Sequence, residues 1–207
     1  MSFLIGKLAP DFTASAVMAD NSVEERFTLS KFLKNKKGLL FFYPLNFTFV
    51  CPSEIIAFND MLNSFKKRNT EVIGVSIDSH HSHIAYKNQS VNEGGIGQIK
   101  YPLVSDLNKD ISRNYDVLHD HKVALRGSFL IDEEFHIRHQ VVNDLPLGRS
   151  IHEALRMVDS LAHYQQHGEV CPANWKKGED AMVPSKDGVK NYLAAKHGSC
   201  NDKNSQN

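Results

Sequence analysis

An excess of charge of either sign is the first thing this 207-residue chain lacks: 24 Lys and Arg offset 24 Asp and Glu. Without a basic field, nothing draws the chain toward nucleic acid or an anionic membrane surface. Long hydrophobic runs are missing as well. The longest, residues 39–43 (LLFFY), falls far short of the roughly 20 apolar residues of a membrane-spanning helix. The FLIG stretch before Lys7 is too short for the apolar core of a secretory leader. The expectation is a cytoplasmic protein with neither a nucleic-acid nor a membrane partner. Cysteine is scarce. Cys51, Cys171 and Cys200 are odd in number and widely spaced, which excludes the framework of a disulfide-stapled secreted domain. In a reducing compartment such cysteines are reactive, metal-binding or inert rather than structural crosslinks. No CxxC pair, HExxH helix or Walker-type phosphate loop occurs, so neither a metal nor a cofactor is expected. His80, His81 and His83, like His119 and His121, read as solvated side chains at helix and loop ends.

What is present is a globular composition, 41% hydrophobic and 23% charged, which excludes a disordered chain, a coiled coil and a collagen-like repeat. Residues 38–44 (GLLFFYP) and 70–78 (TEVIGVSID) are nearly continuous apolar runs, the pattern of strands buried on both faces. Between them, residues 52–68 place Ile55, Phe58, Leu62 and Phe65 at helical spacing, with three basic residues in the last turn. Strand, helix and strand form a βαβ unit with parallel strands. A shorter helix is expected over 80–91 and a short strand over 101–106. Residues 126–132 and 136–144 read as an antiparallel hairpin, making the sheet mixed. A further helix over 150–168 opens on a capping box, Ser150 with Glu153, and should cover the sheet. From 168 onward the chain is polar, with few apolar anchors, and reads as an extended arm that needs another surface to dock on. The expected organisation is an α/β domain over 1–167, a mixed sheet flanked by helices, and an arm over 168–207. Cys200 is expected to be an exposed thiol on that arm and 201–207 a disordered end.

The most informative segment is FFYPLNFTFVCPSE, residues 41–54. Cys51 falls just past a buried strand, at the first turn of the following helix, with Pro52 at a favoured first-turn position. Unpaired N–H groups and the positive end of the helix dipole surround its sulfur, and both favour thiolate over thiol. Thr48 could direct its hydroxyl at the same point, and Pro44 would stiffen the turn and shield the sulfur from water. From position alone, an inert buried cysteine stays open as the alternative.

The spacing Pro44, Thr48, Cys51 resembles the active-site motif of the peroxiredoxins. The run FYPLNFTFVCPSE, the VCPANW around Cys171 and the NDLPLGRS segment resemble its typical two-cysteine group, of the alkyl hydroperoxide reductase and thioredoxin peroxidase type. The likeness runs from about Leu8 to Trp175. It implies a thioredoxin-like fold and thiol-dependent reduction of hydrogen peroxide and organic hydroperoxides. Cys51 matches the peroxidatic cysteine that becomes a sulfenic acid, and Thr48 the residue that hydrogen-bonds the peroxide. Arg126 matches the arginine that stabilises thiolate and transition state. Glu54 and Arg149 match a shell that orients Arg126, and Cys171 matches the resolving cysteine, which reaches the sulfenic acid of a partner subunit. The resemblance further implies a homodimer that assembles into a ring-shaped decamer. The implied electron donor is thioredoxin or a flavoprotein disulfide reductase.

Asn46 stands where the family commonly has Asp, and Ser53 where it has Thr. GGIG (94–97) resembles a loop associated with easy overoxidation, but its C-terminal partner here reads Tyr192-Leu193 rather than Tyr-Phe, which implies intermediate sensitivity. Two other classes of function are weighed beside the peroxidase: a chaperone holdase formed by the oligomer, and a cysteine hydrolase pairing Cys51 with a histidine.

Overall fold

A computed structural model describes residues 3–198; Cys200 and the 201–207 terminus lie outside the described residues. In chain order the elements are β1 (Thr13–Val17), β2 (Val23–Thr28), α1 (Leu29–Phe32), β3 (Lys37–Phe42), α2 (Cys51–Asp60), α3 (Leu62–Lys66) and β4 (Thr70–Ser76). Then follow α4 (His80–Asn88), β5 (Leu103–Ser105), α5 (Asp110–Asn114), the short pair β6 (Leu118–His119) and β7 (Val123–Ala124), β8 (Arg126–Ile131), β9 (Ile137–Asn143), α6 (Ile151–His167) and α7 (Lys186–His197). Among the described residues, seven strands form one mixed sheet in the order β2-β1-β5-β4-β3-β8-β9. β4 runs parallel to β3 and β5, while β8 returns antiparallel along β3 and β9 along β8. The thioredoxin-like mixed sheet with flanking helices is therefore present, and so is the βαβ unit.

β3 is buried along its whole length, as its continuous apolar run requires. Its side chains alternate between faces. Leu40 and Phe42 join Ile73, Val75, Val104, Phe129 and Ile131 in one core cluster. Phe41 points the other way and stacks on Phe58 of α2, ring centroids 4.3 Å apart, a contact of about 0.5–1.5 kcal/mol beyond its buried area. That contact seats α2 beside the C-terminal end of β3.

Three expectations are corrected. The helix over 52–68 is two helices, because Met61 leaves helical geometry at ψ 3°. Asn59, Asp60, Asn63 and Ser64 around it compete with the backbone for hydrogen bonds and favour such breaks. The helix over 80–91 ends at Asn88, and a separate 3₁₀ turn over Val91–Glu93 is closed by Gly94 at φ 83°. The arm is not wholly extended: Ser185 caps α7 by accepting from the Gly188 N–H.

The chain divides into two compact units, Met1–Leu155 and Arg156–Asn207, the division falling within α6. In the second unit, Trp175 is buried and its indole N–H donates to the Glu179 carbonyl at 3.0 Å. The Arg156 guanidinium donates to the Trp175 carbonyl at 3.1 Å, and the His163 ring packs 4.9 Å from the indole. Among the described residues, no helix is long and apolar enough to cross a membrane.

Candidate active site

Cys51 is the first residue of α2, directly after Val50 at the N-cap, and is fully buried. No side chain caps this helix end. Glu54, three residues on, lies on the same face of the first turn. The β3–β8 register pairs Phe41 with Ser128, so Arg126, two residues earlier, projects past the end of β3 beside the start of α2. Its Nη1 lies 3.5 Å from Cys51 Sγ and 2.7 Å from Glu54 Oε2, and its Nε donates to the Leu145 carbonyl at 2.7 Å.

Arg149 completes the cluster from the segment between β9 and α6. It grips Glu54 in a fork, Nε to Oε1 and Nη2 to Oε2, both 2.8 Å, and its backbone N–H reaches Oε1 at 2.8 Å. Nη1 donates to the Gly127 carbonyl at 2.6 Å, and the guanidinium lies 5.3 Å from the Phe41 ring. Glu54 and both arginines are almost wholly out of solvent. Burial by itself would raise the Glu54 carboxyl; the hydrogen bonds and charge of Arg149, joined by Arg126, outweigh it and hold Glu54 below its ordinary value. Two guanidinium groups against one carboxylate leave one positive charge, and Arg126 presents it to the Cys51 sulfur. Such a site suits a reaction that builds negative charge on sulfur and on an oxygen departing from it.

Beside this cluster, Pro44, Thr48, Phe49, Val50, Arg126, Leu145 and Pro146 line an open, mainly apolar cavity of about 470 Å³. Pro44 is buried, whereas Phe49 at the rim is 99% exposed. The Thr48 hydroxyl donates to the Leu45 carbonyl at 2.9 Å. The first unit thus brings together Pro44, Thr48, Cys51, Glu54, Arg126 and Arg149. The hydrogen-bond partner of the Cys51 sulfur is a guanidinium, not the histidine base that a hydrolase would need.

Cys171 belongs to the second unit. Its thiol points at the Ser160 carbonyl at 3.6 Å, and partial burial, resisted by that contact and by Arg156, raises it above its ordinary value. Both Cys51 and Cys171 are free thiols.

The reading of His83 as a solvated histidine is overturned: it is fully buried, with Tyr86 and Lys87, on the inner face of α4. The signal was in the sequence, since positions 83, 86 and 87 share one helical face. His80 and His81 remain at the surface end of α4, their ring centroids 4.0 Å apart.

Comparison with known proteins agrees with this chemistry. Residues 5–140 match the AhpC/TSA family and residues 160–195 the C-terminal domain of 1-Cys peroxiredoxin. The chain is 55% identical over 190 residues to the alkyl hydroperoxide reductase C of Helicobacter pylori, covering 92% of this chain and 96% of that protein. It is 50% identical to mouse peroxiredoxin-2, covering 92% and 95%. The reduced 2-Cys peroxiredoxin of Plasmodium vivax superposes with a TM-score of 0.91 at 49% identity, covering 93% of this chain and 100% of that one.

Proposed function

The chain belongs to the AhpC/TSA family, the peroxiredoxins, and from that premise we propose how its residues share the work of a thiol-dependent peroxidase. The Cys51 thiolate attacks the terminal oxygen of a hydroperoxide. The O–O bond breaks, sulfur keeps one oxygen as a sulfenic acid, and the other leaves as an alkoxide or hydroxide that takes up a proton. In that displacement negative charge moves from sulfur toward the leaving oxygen. Arg126 Nη1, already 3.5 Å from Sγ, is placed to follow it, and the Glu54–Arg149 fork keeps the guanidinium from turning away. The Thr48 proton is engaged by Leu45, so its oxygen lone pairs are free to accept the hydroperoxide O–H. Pro44 and the apolar rim exclude water and leave room for an alkyl substituent. Cys51 is fully buried beside that cavity, so peroxide reaches the sulfur from the cavity through a small local displacement of its lining.

Cys171 is the resolving cysteine of this proposal. Its thiol attacks the sulfenic sulfur of a partner subunit, forming an intersubunit Cys51–Cys171 disulfide and releasing water. The boundary we assign is 1–167 for the peroxidase domain and 168–207 for the arm that supplies Cys171. A disulfide requires Cα atoms within about 7 Å, so the first turn of α2 unwinds for the sulfurs to meet. The disulfide then takes two electrons from thioredoxin or a flavoprotein disulfide reductase. Homodimers, assembled into a ring-shaped decamer, carry out this cycle in the cytoplasm without metal, haem or flavin in the chain itself.

The observation that carries the proposal is the approach of Arg126 to a helix-terminal Cys51 across an ion-paired carboxylate. Coupled peroxidase assays with thioredoxin plus its reductase, and with a flavoprotein disulfide reductase, test it. Cys51→Ser should abolish turnover with either donor, and non-reducing gels of peroxide-treated protein should show a dimer that disappears in Cys171→Ser. Substantial turnover by Cys51→Ser, or a disulfide confined to one chain, refutes the assignment.

A further inference from the structure

A second buried polar cluster lies under the reactive loop. Asn46, between Pro44 and Thr48, is tied down at every polar atom of its side chain. Tyr43 Oη donates to Asn46 Oδ1 at 2.9 Å, and Asn46 Nδ2 reaches Ser82 Oγ at 2.8 Å and His83 Nδ1 at 3.0 Å. The Asn46 backbone N–H donates to Asp78 Oδ2 at 2.9 Å. Across the imidazole, His83 Nε2 lies 3.2 Å from the Val104 carbonyl of β5. These partners fix the tautomer, since a carbonyl can only accept and the amide NH₂ can only donate. Nε2 carries the proton and Nδ1 is bare.

The very next residue shows why such an anchor is needed. Phe47 holds φ 56°, the left-handed region that a bulky side chain occupies only when its surroundings impose it. Its ring packs 4.5 Å from that of Tyr86, on the same α4 face as His83. The loop entering Cys51 is therefore strained and is held from α4 at two successive positions, by Ser82 and His83 at Asn46 and by Tyr86 at Phe47 itself.

We infer that Asn46 and His83 form a charge-neutral clamp that positions the Pro44–Val50 loop, and through it Thr48 and Cys51, and that the clamp holds only while the imidazole is neutral. It rests on the peroxidase reading above. A proton on Nδ1 would set donor against donor at Asn46 Nδ2. Of the charged and titratable groups around the ring, Asp78 after β4 favours protonation, while His80 and Lys87 on α4 oppose it. Tyr43 approaches from just past the end of β3, and β5 offers only a carbonyl. Burial decides the balance and lowers His83 to about 4. In an opened loop the imidazole is hydrated and takes its proton near 6.5. Acidification from there toward 4 therefore favours the open form. Asn46 is itself part of the device. An Asp at this position has no hydrogen to donate to Nδ1, so it would draw a proton onto the ring and replace a neutral contact with an ion pair.

Three measurements on the full-length reduced protein test this. In ¹⁵N spectra, His83 should show a protonated Nε2 and a bare Nδ1 between pH 5.5 and 8; a protonated Nδ1, or titration near 6.5, overturns the clamp. In His83→Phe, the rate of Cys51 oxidation by peroxide should fall at least tenfold while alkylation of Cys51 by iodoacetamide stays within about threefold. Equal peroxide rates, or equal losses in both reactions, overturn it. If that variant does not fold, Asn46→Asp decides: His83 should titrate more than one pH unit higher, with a matching step in the peroxide rate, and no such step overturns the inference. Failure of the peroxidase reading itself would look different, because the unmodified protein would then show no oxidation of Cys51.

Discussion

Replacing Glu54 by Gln is the most searching perturbation of the site, because one atom changes while two buried cations lose their counter-charge. The carboxylate accepts four hydrogen bonds, one from Arg126 and three from Arg149. An amide in its place keeps one oxygen and turns an NH₂ toward donors, so two of the four become donor-to-donor contacts. Breaking one side of a buried ion pair costs about 3–5 kcal/mol, a large share of the roughly 5–15 kcal/mol that holds a domain folded. At roughly 2–4 °C per kcal/mol for a chain of this size, the reduced variant should melt some 6–20 °C lower at neutral pH. The pH dependence has a definite sign. Glu54 is held below its ordinary 4.5, so its contribution is complete above that value and is lost as pH falls through the lower folded-state value. Urea titrations should therefore show the gap between wild type and Glu54→Gln at its full size at pH 7 and narrowing below about 4.5. Catalysis should suffer as well. With Arg126 free to swing, the peroxide rate constant should drop at least tenfold, about 1.4 kcal/mol of transition-state stabilisation. A variant as stable and as fast as wild type at pH 7 would mean that the Glu54–Arg149 fork neither supports the fold nor aims Arg126.

Arg126→Lys keeps the positive charge but cannot reproduce donation to Glu54, Leu145 and Cys51 from one planar group. Stopped-flow oxidation of Cys51 should slow at least tenfold, and an unchanged rate in a folded variant would remove Arg126 from the reaction. Leu193→Phe restores the aromatic that the family commonly carries beside Tyr192, on a helix where Leu193 is now half exposed. Mass spectrometry of the Cys51 peptide during turnover should find sulfinic acid at lower peroxide in the variant, and identical profiles would show that α7 has no part in the competition between overoxidation and resolution.

What the sequence discloses and what it hides divide along physical lines. β3 and β4 are legible because strands buried on both faces are apolar at every position. β2 is not, because it is the sheet edge: residues 23–26 are all exposed, and VEER carries charge where a pattern reader looks for alternation. Cys51 is legible from purely local facts, a buried strand followed by a helix start with Pro52. Its electrostatic partners are not, since Glu54 meets Arg126 and Arg149 across 72 and 95 residues of chain, and each arginine read alone is ordinary surface charge. The motif resemblance supplied those two arginines, and nothing comparable existed for His83. Its helical spacing with Tyr86 and Lys87 marked an inner face, but its role depends on β5 lying alongside β4 and offering the Val104 carbonyl, and on the Tyr43–Asn46 turn folding back over α4. A histidine becomes neutral and structural only when tertiary packing supplies an acceptor on one side and a donor on the other. Composition and spacing record neither, so the departure at Asn46 reads as neutral in the sequence. In the fold it decides whether the loop that carries Thr48 is held by an amide or by an ion pair.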